Sequence, residues 1–337
     1  SGDKVNLDSD YVATLTDTTI TATVLNAVDG NVPGAVDASS VATITGALAD
    51  INTAYASSGF SGLGDEAVTI TDTTVAAADL LTLNSATSGI ITATGVETVS
   101  GSISDLTSIN LIETDQGNAG QQIDLDTDFT VTITDTGTVA ALTLTSVDAA
   151  VPGAITATNI DKVTGTGSQI AAAATADENG TLILKEDFLA EVSAGVAVNA
   201  ADLNTISAQT TATIAATNAT AINGTATEVA TALADTQIDH DDNFTVTLTN
   251  NSTATAAELI AINAATNQSV TATGVTTITG SISDINSILA LETSQGNAGQ
   301  EIDLDTDFAV TITDTGSVAA TTLTTLDSDV PGTVNAS

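Results

Sequence analysis

Short runs in which apolar and polar residues alternate recur along the whole chain and predict β-strands. A clear example is "IDLDTDFTVTI", residues 123–133, which reads as two short strands joined by a bend. Its apolar positions would all face one side: Ile123, Leu125, Phe129, Val131 and Ile133. The acids between them would point outward or occupy the bend, so the pattern predicts strands buried on one face.

A stretch with helical spacing follows each such pair of strands. In "SISDLTSINLIET", residues 102–114, the apolar residues Ile103, Leu106 and Ile109 recur every three positions. Ser and Asp just before these runs suit helix N-caps, and Gly or Pro-Gly marks their ends. The elementary unit is therefore a coil of strand, bend, strand, turn and short helix.

Internal repeats confirm that this unit recurs. Residues 91–141 and 270–320 align without a gap at an offset of 179, with 38 of 51 positions identical. A shorter period of about 60 residues runs inside that one, and each such unit holds two coils. These paired-coil units start near Tyr11, Ala67, Phe129, Phe188, Phe244 and Phe308.

The repeat decides the predicted fold class. A coil of about 30 residues cannot bury its apolar face alone, so it must stack on its neighbours. We predict one continuous solenoid over residues 1–337, with about eleven coils that each contain two short parallel strands and a short helix, an α/β- or β-solenoid. The alternative is a series of tandem β-sandwich adhesin domains, which need about 100 residues per unit and more aromatic residues.

The charge balance narrows the possible partners. A net charge of −39 with only three lysines excludes nucleic acid and anionic membrane surfaces, since both require many cations. The chain also lacks cysteine and any apolar run long enough to cross a membrane. Because self-repulsion of this size is relieved by salt and by divalent cations, we expect an extracellular, saline setting. We also expect the chain to be a piece of a longer protein.

The acidic bends are the candidate sites. The strings "IDLDTD" at residues 123–128 and 302–307 offer three carboxylates each, and turn carbonyls could complete the oxygen shell that Ca²⁺ prefers. The candidate Ca²⁺ ligands are Asp124, Asp126, Asp128, Asp303, Asp305 and Asp307. Alternatively, these acids are solvated strand corners. The related bend "LKEDF" at residues 184–188 brings a lysine instead, which argues against a regular ion site in every unit.

No catalytic constellation is visible, and we predict that the chain is not an enzyme. The single histidine, His240, stands where the other acidic bends have Leu, so it is expected to replace a core or rim residue. No nucleophile–base pair, phosphate loop or zinc spacing is present in the sequence. Threonine on alternate positions, as in "TVTIT" at residues 130–134, also fits an ice-binding array, although it is simply a good outward residue on a strand.

One long phrase carries a resemblance to a known family. The stretch "AYASSGFSGLGDEAVTITDTTVAAADLLTLNSATSGIITATGVETVSGS", Ala54 to Ser102, resembles the giant repetitive cell-surface proteins of marine picocyanobacteria. Degenerate versions of it cover essentially the whole chain. The resemblance implies a secreted, very long surface protein of the type linked to swimming motility, outer-layer structure or attachment. It brings no catalytic residues.

Two functions follow as expectations. The first is a structural segment that forms a surface layer, fibre or stalk from copies of itself or adjacent repeats, stabilised by divalent cations. The second is a calcium-dependent adhesin that binds a glycan or another cell. An adhesin should carry insertions that break the period, and the candidate insertions are Ala54 to Glu66 and Ala171 to Gly180.

Overall fold

The computed structural model describes residues 8–112, 122–249, 252–292 and 302–336. Within these ranges eleven helices follow one another at regular intervals. They are α1 (Ala22–Asn31), α2 (Leu48–Ala56), α3 (Ala77–Ala86), α4 (Ile103–Ile112), α5 (Ala141–Asp148), α6 (Gly167–Asn179), α7 (Ala200–Gln209), α8 (Ala226–Ala234), α9 (Ala256–Ala264), α10 (Ile282–Leu291) and α11 (Ala320–Asp329). Coil n is the segment that ends with helix αn.

Two or three short strands precede each helix in the described part of the chain. The first nine are β1 (Ala13–Thr14), β2 (Thr19–Thr21), β3 (Val36–Asp37), β4 (Thr43–Gly46), β5 (Phe60–Ser61), β6 (Ala67–Ile70), β7 (Thr74–Ala76), β8 (Ile91–Ala93) and β9 (Thr98–Gly101). The next nine are β10 (Ile123–Leu125), β11 (Thr130–Ile133), β12 (Gly137–Ala140), β13 (Ile155–Thr156), β14 (Ile160–Gly165), β15 (Leu182–Ile183), β16 (Leu189–Val192), β17 (Ala197–Asn199) and β18 (Ile214–Ala215). The last nine are β19 (Ala221–Gly224), β20 (Ile238–Asp239), β21 (Thr245–Leu248), β22 (Thr253–Thr255), β23 (Val270–Ala272), β24 (Thr277–Gly280), β25 (Ile302–Leu304), β26 (Ala309–Ile312) and β27 (Val334–Ala336).

The predicted repeat solenoid of about eleven coils is confirmed. Every strand pair among the described residues is parallel, whereas β-sandwich domains pair their strands antiparallel. One feature differs from the prediction. Coils 3, 5, 7 and 9 contain a third strand directly before the helix, for example β7 before α3. The predicted coil has two strands, whereas "TVA" at residues 74–76 forms a third strand that runs directly into α3.

Because the odd coils contain a third strand, a new sheet begins every two coils. Each odd coil from 1 to 9 starts a new sheet with its last strand, and the following coils each add one strand to it. The six sheets have the strand orders β1-β3-β5, β2-β4-β6-β8-β10, β7-β9-β11-β13-β15, β12-β14-β16-β18-β20, β17-β19-β21-β23-β25 and β22-β24-β26-β27. No sheet in the described part of the chain exceeds five strands.

The chain divides into two compact units. The first consists of Ser1–Thr136, Thr145–Asn159 and Gly180–Leu184, and contains the first three sheets. The second consists of Gly137–Leu144, Ile160–Asn179 and Lys185–Ser337, and contains the last three sheets.

Ladders of aliphatic side chains form the core of each sheet. In the second sheet the paired inward residues are Ile20, Ile44, Val68, Ile91 and Ile123, all buried. The side chains of Phe129, Phe188, Phe244 and Phe308 are also buried, each just before a second strand. Burying one such side chain contributes about 1.5–3 kcal/mol, so the core forms only when successive coils are stacked.

Small residues allow the odd-numbered helices α1 to α9 to start close to the strand of the next coil. The second strand of each even coil ends in glycine, and that glycine faces the first residue of the preceding helix, an alanine. A Cβ atom on Gly101, for example, would lie 2.8 Å from the Cβ of Ala77. This contact recurs in five even coils and explains part of the Ala and Gly content.

Candidate functional site

The acidic bends lie at the outer surface of the coils. In both "IDLDTD" strings the apolar residues are buried, the first two aspartates are half-buried and the third is exposed. The N–H of Phe129 donates to the carbonyl of Asp126 at 3.4 Å, and the N–H of Phe308 donates to that of Asp305 at 3.4 Å. The two bends therefore fold in the same way.

The structure does not gather these acids into an ion-binding cluster. Within the described ranges no group of three or more His, Cys, Asp or Glu side chains is arranged to hold a metal ion. A hydrogen bond to Asp305, and the charge of that carboxylate, raise the pKa of Asp307. One bend carbonyl, that of Phe308, already accepts the N–H of Gly332 at 3.0 Å. The assignment of Ca²⁺ to these bends stays a prediction.

The acids have a defined position within the sheets. The last strands of the four five-stranded sheets are β10, β15, β20 and β25. Among the described residues β10, β15 and β20 each pair with one strand only, whereas β25 also forms an isolated parallel bridge between Ile302 and Glu292. Each of them carries charged residues on the strand or in the bend that follows: Asp124, Asp126 and Asp128; Lys185, Glu186 and Asp187; Asp239, Asp241 and Asp242; Asp303, Asp305 and Asp307. The fourth strands, β8, β13, β18 and β23, pair on both sides, and the corresponding five residues from each are uncharged.

Edge strands expose unpaired backbone groups on which another strand can pair, and charged side chains oppose such pairing. The acidic bends of every second coil are placed where they would oppose such pairing, whereas the opposite edge strands carry no charged residue: β2, β7, β12, β17 and β22. The sequence shows the alternation, but only the strand pairing shows that the acidic strands are the edges.

A second set of acids connects successive coils. Asp72 accepts the N–H of Leu48 at 2.6 Å, Asp135 that of Ile103 at 2.7 Å, and Asp314 that of Ile282 at 2.7 Å. Each acid lies one coil after the helix whose first N–H it binds. A carboxylate at this position satisfies a backbone donor and interacts favourably with the helix dipole. These contacts are not among the predictions from the sequence, although the recurring "ITDT" marks all three aspartates.

Asparagine side chains also link the helix of one coil to the helix of the following coil. The amide of Asn26 donates to the carbonyl of Asp50 at 2.9 Å, that of Asn52 to Asp79 at 3.0 Å, and that of Asn204 to Glu228 at 3.1 Å. In each case the asparagine is the fifth residue of one helix and its partner is the third residue of the next. These bonds fix the position of one helix along the axis of the next.

The departures from the repeat in coils 6 and 7 form ion pairs. Lys162 contacts Glu191 at 2.8 Å, and Lys185 contacts Asp161 at 3.2 Å and Asp187 at 3.3 Å. Hydrogen bonds to Asp161 and Asp187 raise the pKa of Lys185. Lys185 occupies the position that Asp126 has in coil 5, so this edge carries charge of both signs.

The remaining residues of interest are built into the coils. His240 is half-buried, and its ring lies edge-on to Phe244 with the centroids 5.3 Å apart.

The segment from Ala54 to Glu66 forms the end of α2 and strand β5, and the buried carboxylate of Glu66 holds it in place. Oε2 of Glu66 accepts from the Tyr55 hydroxyl at 2.8 Å and from the Gly64 N–H at 2.9 Å. The other candidate insertion, Ala171 to Gly180, is the greater part of α6 with the glycine that follows it.

Comparisons of the chain with family models, characterised proteins and solved structures find no match. In the described part of the chain no helix is both long enough and apolar enough to span a bilayer.

Proposed function

We propose that this chain is a structural segment of a very large extracellular repeat protein that forms a surface layer, fibre or stalk. The observation that supports this best is the way coils depend on one another. Successive coils stack their apolar residues into a shared core, three helices are capped by an aspartate of the following coil, and an acidic bend recurs in every second coil. A protein of this kind gains length by adding coils and avoids unwanted strand pairing at its edges.

The proposal includes a cell-surface location and no catalysis. Its partners are copies of the chain or adjacent repeats of the same protein, together with divalent cations that relieve the charge of −39. The resemblance to the surface proteins of marine picocyanobacteria supports the same class. The placement of both candidate insertions inside the coils favours a scaffold over an adhesin.

Thermal unfolding with control of calcium is the first test. Circular dichroism melts would be recorded in high salt, with and without excess EGTA, and then during a Ca²⁺ titration at constant ionic strength. A bound ion adds about 2.7 kcal/mol at a hundredfold excess over Kd, so an ion-stabilised segment should melt lower after chelation and recover with Ca²⁺. An unchanged melting temperature would mean that stacking alone holds the coils.

Binding and assembly assays separate the scaffold from the adhesin. Sedimentation velocity would follow self-association with and without Ca²⁺, and a glycan array would follow ligand binding. Cation-dependent self-association without glycan binding supports the scaffold. Saturable, calcium-dependent glycan binding by a monomeric chain would overturn it in favour of the adhesin.

A further inference from the structure

The dipeptide Asn–Gly stands at two places in the sequence, Asn179–Gly180 and Asn223–Gly224. Because glycine has no Cβ atom, its main-chain nitrogen is unhindered and its backbone rotates freely. That nitrogen can reach the Cγ atom of the asparagine before it and close a five-membered ring. The fold places the two dipeptides in opposite settings, which decides where this reaction proceeds.

The first dipeptide lies at the C-terminal end of a helix. α6 ends at Asn179, and Asn179, Gly180 and Thr181 are all exposed. Gly180 has a φ of 75°, and nothing lies within 4 Å of a Cβ atom placed on it. Helix ends fray, and local opening costs least at such positions. The backbone here is therefore free to bring the Gly180 nitrogen to the Asn179 side chain.

The second dipeptide lies inside a sheet. β19 has a strand on each side, and Asn223 pairs with Asn199 of β17 and with Thr247 of β21. The Oδ1 atom of Asn223 is buried, and a Cβ atom on Gly224 would lie 3.3 Å from the Cβ of Ala200. Ring closure at this position requires β19 to leave its neighbours, so it carries the additional cost of opening the sheet.

We propose that Asn179 is a site of spontaneous deamidation, with water as the co-reactant. The Gly180 nitrogen gives its proton to solvent and bonds to Cγ of Asn179, and the side-chain nitrogen takes up a proton and leaves as ammonia. Water then adds to one of the two ring carbonyls and breaks its bond to the ring nitrogen. Opening at Cγ gives aspartate, and opening at the main-chain carbonyl gives isoaspartate. This modification goes beyond the structural role proposed above and does not depend on it.

The modification changes the end of α6. Either product adds one negative charge to the last residue of the helix, directly after Asp177 and Glu178. The C-terminal end of a helix carries the negative end of its dipole, so a further carboxylate there is unfavourable. Isoaspartate also lengthens the main chain by one carbon atom. We therefore expect deamidation to loosen the last turn of α6.

Incubation of the full chain in oxygen-18 water at mildly alkaline pH tests the proposal, with peptide mass spectrometry following both Asn–Gly dipeptides. We expect Asn179 to convert at least about tenfold faster than Asn223, which corresponds to about 1.4 kcal/mol of additional barrier within the sheet. The product should be a mixture of aspartate and isoaspartate that carries one oxygen-18 atom. Equal rates, faster conversion of Asn223, no conversion of Asn179 or aspartate alone would overturn the proposal.

Two controls separate the fold from the dipeptide. In urea both dipeptides are unfolded and their rates should become alike; a difference that persists there would mean that flanking residues select Asn179, and would contradict the structural argument. Asn179→Gln must close a larger ring and should stop conversion at this position. Asn223→Gln is the matched variant and should leave the rate at Asn179 unchanged. Circular dichroism verifies that both variants are folded. Undiminished ammonia release from Asn179→Gln would place the reaction elsewhere and refute the assignment.

Discussion

At the scale of single residues, contacts between coils restrict which side chains fit. The glycine of the "VPG" turns packs against the bend of the preceding coil. A Cβ atom on Gly153 would lie 2.5 Å from the carbonyl oxygen of Phe129 and 2.7 Å from that of Asp128. Gly34 and Gly332 meet the equivalent bends in the same way. Since the obstacle is backbone, a side chain cannot be accommodated by a rotamer change.

We expect Gly153→Ala to destabilise the protein by about 1–3 kcal/mol, the usual cost of overpacking. Gly95→Ala is the control, because nothing lies within 4 Å of a Cβ atom there. That control should change stability by less than about 0.5 kcal/mol. Urea denaturation measures both values, and equal effects of the two substitutions would refute the steric explanation.

Tyr55 should make the protein sensitive to alkali. Burial, together with its hydrogen bond to Glu66, raises the pKa of Tyr55 above the ordinary value of about 10. A folded-state pKa that is raised means that the stabilisation is fully present below pH ~10 and is lost as the pH rises above it. Unfolding should therefore release the Tyr55 proton.

The chain has two tyrosines, so Tyr11→Phe leaves Tyr55 as the single phenol. In this variant we expect the phenolate absorbance to appear only together with the loss of the circular dichroism signal. Ionisation near pH 10 in a protein that remains folded would contradict the role of burial.

At the scale of elements, the decisive feature is the end of each sheet. The last strands carry acids, and the fourth strands at the same position in the coil do not. The two kinds of strand are otherwise alike, as a comparison of "IDLDTD" in β10 with "ITATG" in β8 shows. The two strands differ in pairing, because β8 pairs with strands on both sides and β10 pairs with β8 alone among the described residues.

Replacing Asp124 and Asp126 by Thr gives β10 nearly the composition of β8, and we expect this variant to self-associate through the edge of the second sheet. Sedimentation velocity at equal protein concentration detects the association. Glu178→Thr with Asp327→Thr removes the same charge from exposed helical positions and should stay as dispersed as the parent chain. If both double variants associate equally, net charge and not edge protection keeps the chains apart.

At the scale of the whole molecule, the charge of −39 acts on every coil. The described residues contain only two lysines, and both are already paired with acids. Repulsion among the remaining carboxylates opposes the compact state, and salt screens it.

We expect the melting temperature to rise steadily between 0.01 M and 1 M NaCl, over which the Debye length falls from about 30 Å to about 3 Å. KCl should act in the same way as NaCl, since screening does not distinguish the two cations. A melting temperature independent of salt would show that stacking, not repulsion, sets the stability.

The sequence by itself determined the coil, its strand–bend–strand–helix order, the buried residues and the stacking of about eleven coils. All of these follow from local periodicity and from the repeat, which a single chain displays in full. It did not reveal the third strand of the odd coils, because segments such as "TVA" at residues 74–76 run directly into a helix without a turn.

Only the tertiary structure decided where the aspartates lie relative to the sheets and to the helix starts. The third strands shift the sheet by one position every two coils, so whether a strand is internal or an edge depends on pairing with a segment some 30 residues away. The same holds for Asp72, Asp135 and Asp314, which bind helices of the preceding coil. Hydrogen bonds and edges between coils are non-local, and no pattern within one coil specifies them.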